Sequence, residues 1–346
     1  MQKILLFIAS LFYFNFLFSK NEIKSWQGIH ETPLSRLEQQ FAEPPVEFAN
    51  HVIWGWEGKM DKKTICNDLD SIKKKGFRAV IFEAGYKLPF KYLSEEWFKA
   101  IRTGVLEAKK RGMKVWIIDE GKYPSGFAGG KFSQERPDLR MQALVIGDTI
   151  QIKRGEVMTN HKIAPEIISA VAVSTSGAPN RTVAINNGEI SFNAGLDDWK
   201  ILLVKSDFRT AVTRAVNNPN GGKDATNSLC DYLNPVAVQQ FIDWTHEQYK
   251  KYLGKELGTT VLGFRGDEPD YAHLPWTPSI VQTFKETKGY DPTPYLASFF
   301  TASPTIQEQR VKADYWDVWS SLFATHFFKL QADWCAANGV AHITHL

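Results

Sequence analysis

The sequence of 346 residues has few cysteines and little net charge. Its three cysteines, Cys66, Cys230 and Cys335, stand far apart without a CxxC pair, which excludes a thiolate zinc site and a disulfide framework. The 41 basic and 38 acidic residues leave a formal net charge of +3, which argues against nucleic acid as a partner. A GxSxG nucleophile motif and a GxxxxGKS/T phosphate loop are both missing. Catalysis by this chain would have to use other groups.

Aromatic residues, by contrast, are abundant. Phe, Trp and Tyr make up 13% of the chain, with 11 Trp, while 43% hydrophobic and 23% charged residues indicate a globular protein. Flat aromatic rings bind the apolar faces of sugars, and they also fill large cores. The composition therefore favours a carbohydrate ligand, with core packing as the alternative.

The amino terminus has the pattern of a signal peptide, which we assign to residues 1–20. A short basic start precedes a 15-residue apolar run, Ile4–Phe18, and the small residue Ser19 follows it. The run is shorter than the roughly 20 residues that a membrane-spanning helix needs. We expect export to the periplasm or the extracellular space, with an uncleaved anchor as the alternative and no other membrane span.

One pattern recurs four times: a helix with a basic last turn, a glycine, a short apolar strand and an acid or polar end. The four copies are Ser71–Glu83, Glu107–Glu120, Tyr252–Glu268 and Cys335–Leu346. Cations suit the negative end of a helix dipole, and the glycine can adopt the left-handed cap conformation. Apolar strands that follow helices indicate a parallel sheet buried on both faces. With an opening strand at 51–57, the sequence predicts five such strands. Helices should fill the gaps: one from Asp61 to Lys75, one that starts at Ser94, and one that begins at Asn234-Pro235 and runs to Leu253.

This pattern predicts an α/β fold, a (β/α)8 TIM-type barrel that stops after about five of its eight strands, with an open sheet as the alternative. Between the third and fourth strands, short alternating segments and the turn Asn186–Gly188 predict an inserted all-β subdomain. A loop at Asn217–Gly222 would lead back to the barrel. The predicted parts are a signal peptide at 1–20, strands 1–3 at 21–140, the inserted subdomain at 141–217, and strands 4–5 at 218–346.

Acidic residues follow four consecutive strands of the predicted sheet. They are Glu57, Glu83, Asp119 with Glu120, and Asp267 with Glu268. The carboxyl ends of barrel strands form the active site, and acids are poor strand residues that are costly to bury unpaired. The clustering indicates a polar ligand or a metal, although solvated strand ends also tolerate acids.

The segment Gly263–Pro269 is the strongest local signal. Pro269 keeps the residue before it out of helical geometry, which fixes Glu268 at a corner between strand and loop. Burial and a neighbouring carboxylate, here Asp267, are what raise a carboxyl pKa into the range of a general acid. We therefore assign Glu268 as the candidate catalytic acid, with a helix cap or a calcium-binding loop as the alternative.

Two further segments supply candidate ligand contacts. The glycine-rich segment 119–130 offers the hydroxyls of Tyr123 and Ser125. In the first strand, we expect the pleat to place Trp54 and Trp56 on different faces, so that one ring stacks on a sugar; core packing of both is the alternative. The predicted substrate-binding set is Trp54, Trp56, Glu57, Glu83, Asp119, Glu120, Tyr123, Ser125 and Asp267.

Two histidines lie near the carboxyl end of the sequence, but their spacing does not predict a metal site. His342 and His345 are three residues apart in a strand and should face opposite sides of the sheet. No metal ligand is therefore assigned to them.

Several segments together resemble the catalytic region of glycoside hydrolase family 106, the bacterial α-L-rhamnosidases and their exported relatives. They are the tryptophan-rich first strand and the stretches 68–76, 93–97, 116–130, 231–235 and 263–269. The resemblance covers residues 45–346, the amino-terminal part of the catalytic barrel. It implies inverting hydrolysis by two glutamates, with Glu268 as the acid, a base from a later strand, and calcium dependence. Arg265-Gly266 departs from the small or hydroxyl residues that precede Asp-Glu in relatives.

Residues and resemblance together predict an exported glycoside hydrolase that acts on an oligosaccharide or polysaccharide. An inverting site needs two carboxyl groups roughly 6.5–9.5 Å apart, with room for a water molecule between them. Glu57, Glu83 or Glu120 could also serve as the second carboxylate. The alternatives are a non-catalytic carbohydrate-binding protein and a metal-dependent hydrolase that uses the acidic strand ends.

Overall fold

The computed structural model describes residues 33–42, 50–121, 123–210, 228–271 and 273–345. The chain divides into two units, Met1–Ala49 and Asn50–Leu346. The described part of the first unit contains helix α1, Leu34–Ala42. The predicted signal peptide and the loop Asn217–Gly222 lie outside the described residues. Within the described part of the chain, no helix combines the length and the apolar character needed to cross a bilayer.

A sheet of five parallel strands organises the second unit. Its strands are β1 (His51–Trp56), β2 (Ala79–Ala84), β3 (Lys114–Ile118), β11 (Val261–Gly266) and β13 (Ala341–Thr344). They pair in that order, so each strand lies beside the next one that the repeat predicts. The α/β class and the five parallel strands are confirmed.

The first helices begin and end where the sequence predicts. Helix α2 (Lys62–Lys74) begins after Asp61, whose carboxylate accepts the Thr64 N–H at 2.9 Å. Helix α3 (Glu95–Lys110) begins after Ser94, whose hydroxyl accepts the Trp97 N–H at 3.3 Å. Side-chain caps of this kind satisfy N–H groups that a helix start leaves unpaired. After the helices, Gly76 and Gly112 have φ values of 95° and 67°, as left-handed caps require.

The helix predicted from Pro235 to Leu253 is in fact two helices, α5 (Pro235–Trp244) and α6 (His246–Leu253). At the junction the Thr245 hydroxyl donates to the Phe241 carbonyl oxygen at 2.6 Å. Threonine back-bonding of this type bends helices. The prediction of one continuous helix was therefore wrong, because this side-chain bond competes with the helix at residue 245.

The region after β3 is built from antiparallel strands: β4 (Gln142–Ile152), β5 (Val157–Lys162), β6 (Ile167–Ser174), β7 (Arg181–Thr182), β8 (Ile185–Asn186), β9 (Glu189–Asn193) and β10 (Trp199–Phe208). A five-stranded sheet has the order β12-β4-β10-β6-β7, in which β12 (Pro275–Trp276) comes from after β11, and a three-stranded sheet has the order β5-β9-β8. The predicted turn joins β8 to β9, with φ values of 51° at Asn187 and 76° at Gly188. The division of this compact unit into barrel and inserted subdomain stays a prediction.

The remaining elements pack around these sheets. They are α4 (Lys131–Glu135), α7 (Ile280–Lys288), α8 (Ile306–Leu322), a π-helical turn (Phe323–Phe328) and α9 (Lys329–Ala337), with 3-10 turns at Ala128–Gly130, Pro137–Leu139, Gly254–Glu256 and Thr293–Phe300. A capping box between Thr305 and Glu308 starts α8. The antiparallel sheet and the helices α5, α7 and α8 share one core.

The two faces of the parallel sheet have different surroundings. On one face Trp56, Phe82 and Phe264 join Trp97 and Ile101 of α3 in a buried core. Successive side chains of a strand point to opposite faces, so the residues between these positions lie on the other side. There Ile53 and Ile343 are 48% and 41% exposed. We call this second side the open face; its side chains include those of Ile53, Glu83, Trp116, Arg265 and Ile343.

Candidate active site

The open face ends in two glutamates at the carboxyl ends of β1 and β2. Each lies over a glycine of the neighbouring strand: the Cγ of Glu57 is 2.2 Å from where a Cβ on Gly85 would be, and the Oε2 of Glu83 is 3.6 Å from the same point on Gly55. The missing side chain of Gly85 makes room for Glu57, whereas a Cβ at Gly55 would meet Glu83 at an ordinary van der Waals distance. Glu57 is exposed and Glu83 half-buried, so both remain candidate ligand contacts at this edge.

Asp267 and Glu268, which follow β11, lie close to a histidine that directly follows β13. The Nδ1 atom of His345 is 3.3 Å from Glu268 Oε1 and 3.7 Å from Asp267 Oδ1. The Glu268 side chain is 49% exposed, so its carboxyl group is open to a ligand. The sequence analysis did not assign His345 to the site. Its position was nevertheless informative, because His345 directly follows the fifth strand just as Asp267 directly follows the fourth.

The loop that carries Glu268 is held from both sides. On one side the Arg209 guanidinium donates to both carboxylate oxygens of Asp270, at 3.1 and 3.0 Å, and to its carbonyl oxygen at 3.1 Å. Arg209 directly follows β10, so the antiparallel sheet helps to position this loop. Bidentate arginine–carboxylate pairs add geometric specificity. No local motif predicts this pair, because 61 residues separate its members.

On the other side, Ser125 connects Asp267 to Asp119. The Asp267 N–H donates to Ser125 Oγ at 2.7 Å, and the Ser125 hydroxyl donates to Asp119 Oδ1 at 2.6 Å. Asp119 and Ser125 are buried, and they lie on the helix-facing side around Gly266. In this structure they therefore position the Glu268 loop, and their role as substrate contacts stays a prediction.

Glu120 has a similar structural role. Its buried carboxylate accepts the N–H groups of Gly121 at 2.6 Å, Gly129 at 3.1 Å and Ala128. Burial raises the pKa of Glu120 to about 8, against the lowering effect of these hydrogen bonds. The side chain thus holds the glycine-rich loop together, and its roles as a substrate contact or a second carboxylate stay predictions.

The tryptophans of β1 share one face, contrary to the prediction. Residues two apart in a strand point to the same side, and the rings of Trp54 and Trp56 have centroids 5.3 Å apart. Trp56 is completely buried against Phe82 and Trp97. Neither ring lies on the open face, so the core-packing alternative describes Trp56, and stacking of Trp54 on a sugar would need a ligand on the helix-facing side.

Tyr123 lies within electrostatic range of the candidate acid. The pKa of its phenol is raised by partial burial and then by the negative charges of Asp270 and Glu268. It therefore remains a candidate substrate contact. His342, by contrast, is largely buried, and burial lowers the pKa of its imidazole to about 4. The two terminal histidines thus have separate environments, as predicted.

Comparisons with known proteins identify the family. A family model described as alpha-L-rhamnosidase matches residues 160–345, more than half of the chain. The chain belongs to glycoside hydrolase family 106. The matched part contains Arg209, the Asp267-Glu268 pair and His345.

Two individual proteins are similar to this family 106 chain. A protein of Formosa agariphila named "Putative beta-glucuronidase" is 23% identical over an alignment of 360 positions, which covers 89% of this chain and 30% of that protein. The structure of a rhamnosidase from Novosphingobium sp. PP1Y superposes with a TM-score of 0.64 at 14% identity, over 91% of this chain and 47% of that one. The chain thus spans a third to a half of the length of these proteins, and the second likeness shows a shared fold.

The calcium implied by the family resemblance finds no matching ligand set among the described residues. In the described ranges, no three His, Cys, Asp or Glu side chains are grouped closely enough to hold a metal ion. No calcium ligand is therefore assigned, and no step of the proposed mechanism runs through a metal ion.

The charge state of Asp119 gives a first prediction. Burial, with a further contribution from the charge of Asp267, raises its pKa to about 7, and the Ser125 hydrogen bond and Arg265 oppose this rise. A raised carboxyl pKa stabilises the fold below the unfolded value of about 3.9, and that contribution is lost as the pH rises towards 7. We expect Asp119→Asn to gain stability relative to wild type between pH 5 and pH 8, by about 2 kcal/mol.

Chemical denaturation at the two pH values measures this change. Asp61→Asn is the control, because a backbone hydrogen bond from Thr64 lowers the pKa of Asp61 to about 2 and its contribution is constant between pH 5 and pH 8. A stability difference between Asp119→Asn and wild type that does not change with pH would contradict the prediction.

Proposed function

We propose that the full-length protein hydrolyses O-glycosidic bonds with Glu268 as the general acid. The observation that carries this proposal is the half-exposed Glu268 carboxyl group, held at the edge of the open face with His345 Nδ1 3.3 Å away. Its loop is fixed by Arg209 and Ser125, which gives the acid a defined position. Family membership supports the reaction class, and the family description favours α-L-rhamnosides as the first substrates to test.

In the proposed mechanism Glu268 donates its proton to the glycosidic oxygen as the bond to the anomeric carbon breaks. A second carboxylate removes a proton from a water molecule that attacks the same carbon from the opposite side, so the configuration is inverted. Glu83 is a candidate for this base. It lies two strands from β11, a separation of about 10 Å between strand axes, near the spacing of roughly 6.5–9.5 Å in inverting enzymes.

Glu57 is a second candidate for the base, one strand further from β11. The family resemblance instead assigns the base to a strand later than β13. All three possibilities place two carboxylates across one cavity, which a barrel provides. We accordingly propose that the five parallel strands are part of a (β/α)8 barrel, supported by their sequential order and by the shared fold with the rhamnosidase structure. We also propose export, on the basis of the amino-terminal sequence.

The anomer of the first product tests the proposal. We expect purified full-length protein to release β-L-rhamnose first from an aryl α-L-rhamnoside, or the α-anomer first from an aryl β-D-glucuronide, as proton NMR in the first minutes would show. Release of the retained anomer would refute the inverting mechanism. Sugar-dependent melting shifts without hydrolysis of any glycoside would refute the enzyme and favour a binding protein.

A further inference from the structure

Arg265 is a cation on the open face for which the described residues supply no carboxylate partner. In β11 it follows Phe264, which faces the helices, so its side chain points to the open face, where it is half-buried. Within the described ranges its guanidinium makes no hydrogen bond or ion pair. Other partly buried arginines have hydrogen-bond partners: Arg209 pairs with Asp270 and Arg111 with Asp70 and Glu107, while Arg78 and Arg140 donate to backbone carbonyl oxygens.

A half-buried cation without a partner is costly, because burial removes water without supplying a compensating anion. Asp119 is electrostatically close to Arg265, but it lies on the helix-facing side and bonds to Ser125. The guanidinium therefore remains available to a ligand on the open face. It lies two residues before Asp267 on one strand, about 7 Å away along it, a distance that one sugar ring spans.

We infer that Arg265 binds the carboxylate of an acidic sugar, so that the substrate class is a uronic acid glycoside. This inference rests on the proposed function and makes it more specific. A guanidinium presents a planar fork that matches a carboxylate through two parallel hydrogen bonds. Trp116 lies on the same face of the adjacent strand β3 and offers a flat ring to the sugar.

The surrounding charges support an anion at this position and oppose one elsewhere. Glu57, Glu83, Asp267 and Glu268 line the edge above Arg265, so a ligand carboxylate placed among them would be repelled. An orientation that puts the carboxylate on Arg265 keeps it away from these acids. That orientation directs the rest of the ring towards the edge, where Glu268 can reach the glycosidic oxygen. Arg265 thus selects an acidic sugar and also fixes the orientation of its ring.

Binding of free sugars to the full-length protein tests the inference. The probes are glucuronic and galacturonic acid, with glucose and galactose as neutral counterparts. We expect Arg265→Gln to weaken binding of both acids by at least ~30-fold, the effect of removing one member of a buried charge pair. Affinity for the neutral sugars should change by less than ~3-fold. Isothermal titration calorimetry supplies the dissociation constants.

Two further variants separate recognition from folding. Arg265→Lys keeps the charge without the planar fork and should show an intermediate loss. Arg78→Gln is the matched control, because Arg78 lies at the opposite end of the sheet, where it donates to the Lys73 and Phe77 carbonyl oxygens. It should leave all four affinities unchanged. Thermal melting of each variant verifies that it folds.

The outcomes distinguish this inference from the proposed function. If Arg265→Gln loses affinity for acidic and neutral sugars equally, the inference is overturned and Arg265 has a structural role instead. Equally tight, Arg265-dependent binding of glucose 6-sulfate would overturn its carboxylate specificity. If uronic acids bind through Arg265 but no glycoside is hydrolysed, the inference stands and the proposed function fails. Hydrolysis of neutral glycosides alone, without uronate binding, refutes only the inference.

Discussion

Glu268→Gln should lower the kcat of the full-length protein by ~10²–10⁴-fold on glycosides with poor leaving groups, the usual contribution of a general acid. Glutamine has nearly the same size and can keep the position beside His345, but it has no proton to donate to the glycosidic oxygen. Because the half-exposed side chain takes part in no core packing, stability and sugar affinity should be nearly unchanged. Steady-state hydrolysis of aryl glycosides measures the effect.

The leaving group provides an internal control for this experiment. Dinitrophenolate leaves without protonation, so the defect of Glu268→Gln should shrink sharply on dinitrophenyl glycosides compared with phenyl glycosides. Glu95→Gln is a matched variant, because Glu95 is an exposed residue at the start of α3 that pairs with Lys99. An equal defect on both leaving groups would show that Glu268 has another role, and unchanged turnover would remove it from the mechanism.

The parts of this fold that sequence reasoning predicted depend on short-range physics. Asp61 and Ser94 cap helices through bonds to N–H groups three residues later, and Gly76 and Gly112 adopt positive φ directly after helix ends. Apolar strands after such caps fix the strand count and order. The location of the acids at one edge of the sheet can then also be predicted, because parallel strands end on the same side of a sheet.

The face to which each acid points was not predicted, although the strand period contains that information. Counting by two from the buried Phe82, Ile117 and Phe264 assigns Asp119 to the helix-facing side and Arg265 to the open face. The same count places Trp54 with Trp56. The sequence analysis treated every acid at a strand end as equivalent and did not separate the two faces of the sheet. It therefore considered Arg265 only as a departure from the family motif.

Other features depend on contacts between distant segments. Arg209 pairs with Asp270 across 61 residues, and Ser125 bonds to the Asp267 N–H across 142. No periodicity or local motif encodes such pairs, since they arise only when the antiparallel sheet and the glycine-rich loop come to lie beside β11. The contacts that position Glu268 could therefore be found only from the structure. Glu268 itself could be identified as the candidate acid from the sequence.

Gly263 links the stability of β11 to the position of these residues. A Cβ atom at Gly263 would lie 2.1 Å from the Ala341 carbonyl oxygen and 2.6 Å from Trp116 Cζ3, closer than atoms can approach. One of these neighbours is backbone of β13, so no rotamer change can relieve the contact. We expect Gly263→Ala to destabilise the protein by about 3 kcal/mol or more, through overpacking and displaced strand pairing.

Gly55→Ala is a close control for this variant. Gly55 also belongs to the parallel sheet, but a Cβ there meets its nearest neighbour, Glu83 Oε2, at an ordinary 3.6 Å. That substitution should leave stability within about 1 kcal/mol of wild type. Denaturant titration of the three proteins compares the free energies of unfolding. Because Gly263 has no side chain, β11 and β13 can approach closely. Its replacement should therefore also move His345 away from Glu268, so activity should fall at temperatures where Gly263→Ala remains folded. Equal stability of both variants would show that β11 and β13 can separate without cost, and that the close approach of these strands does not hold the acid and the histidine together.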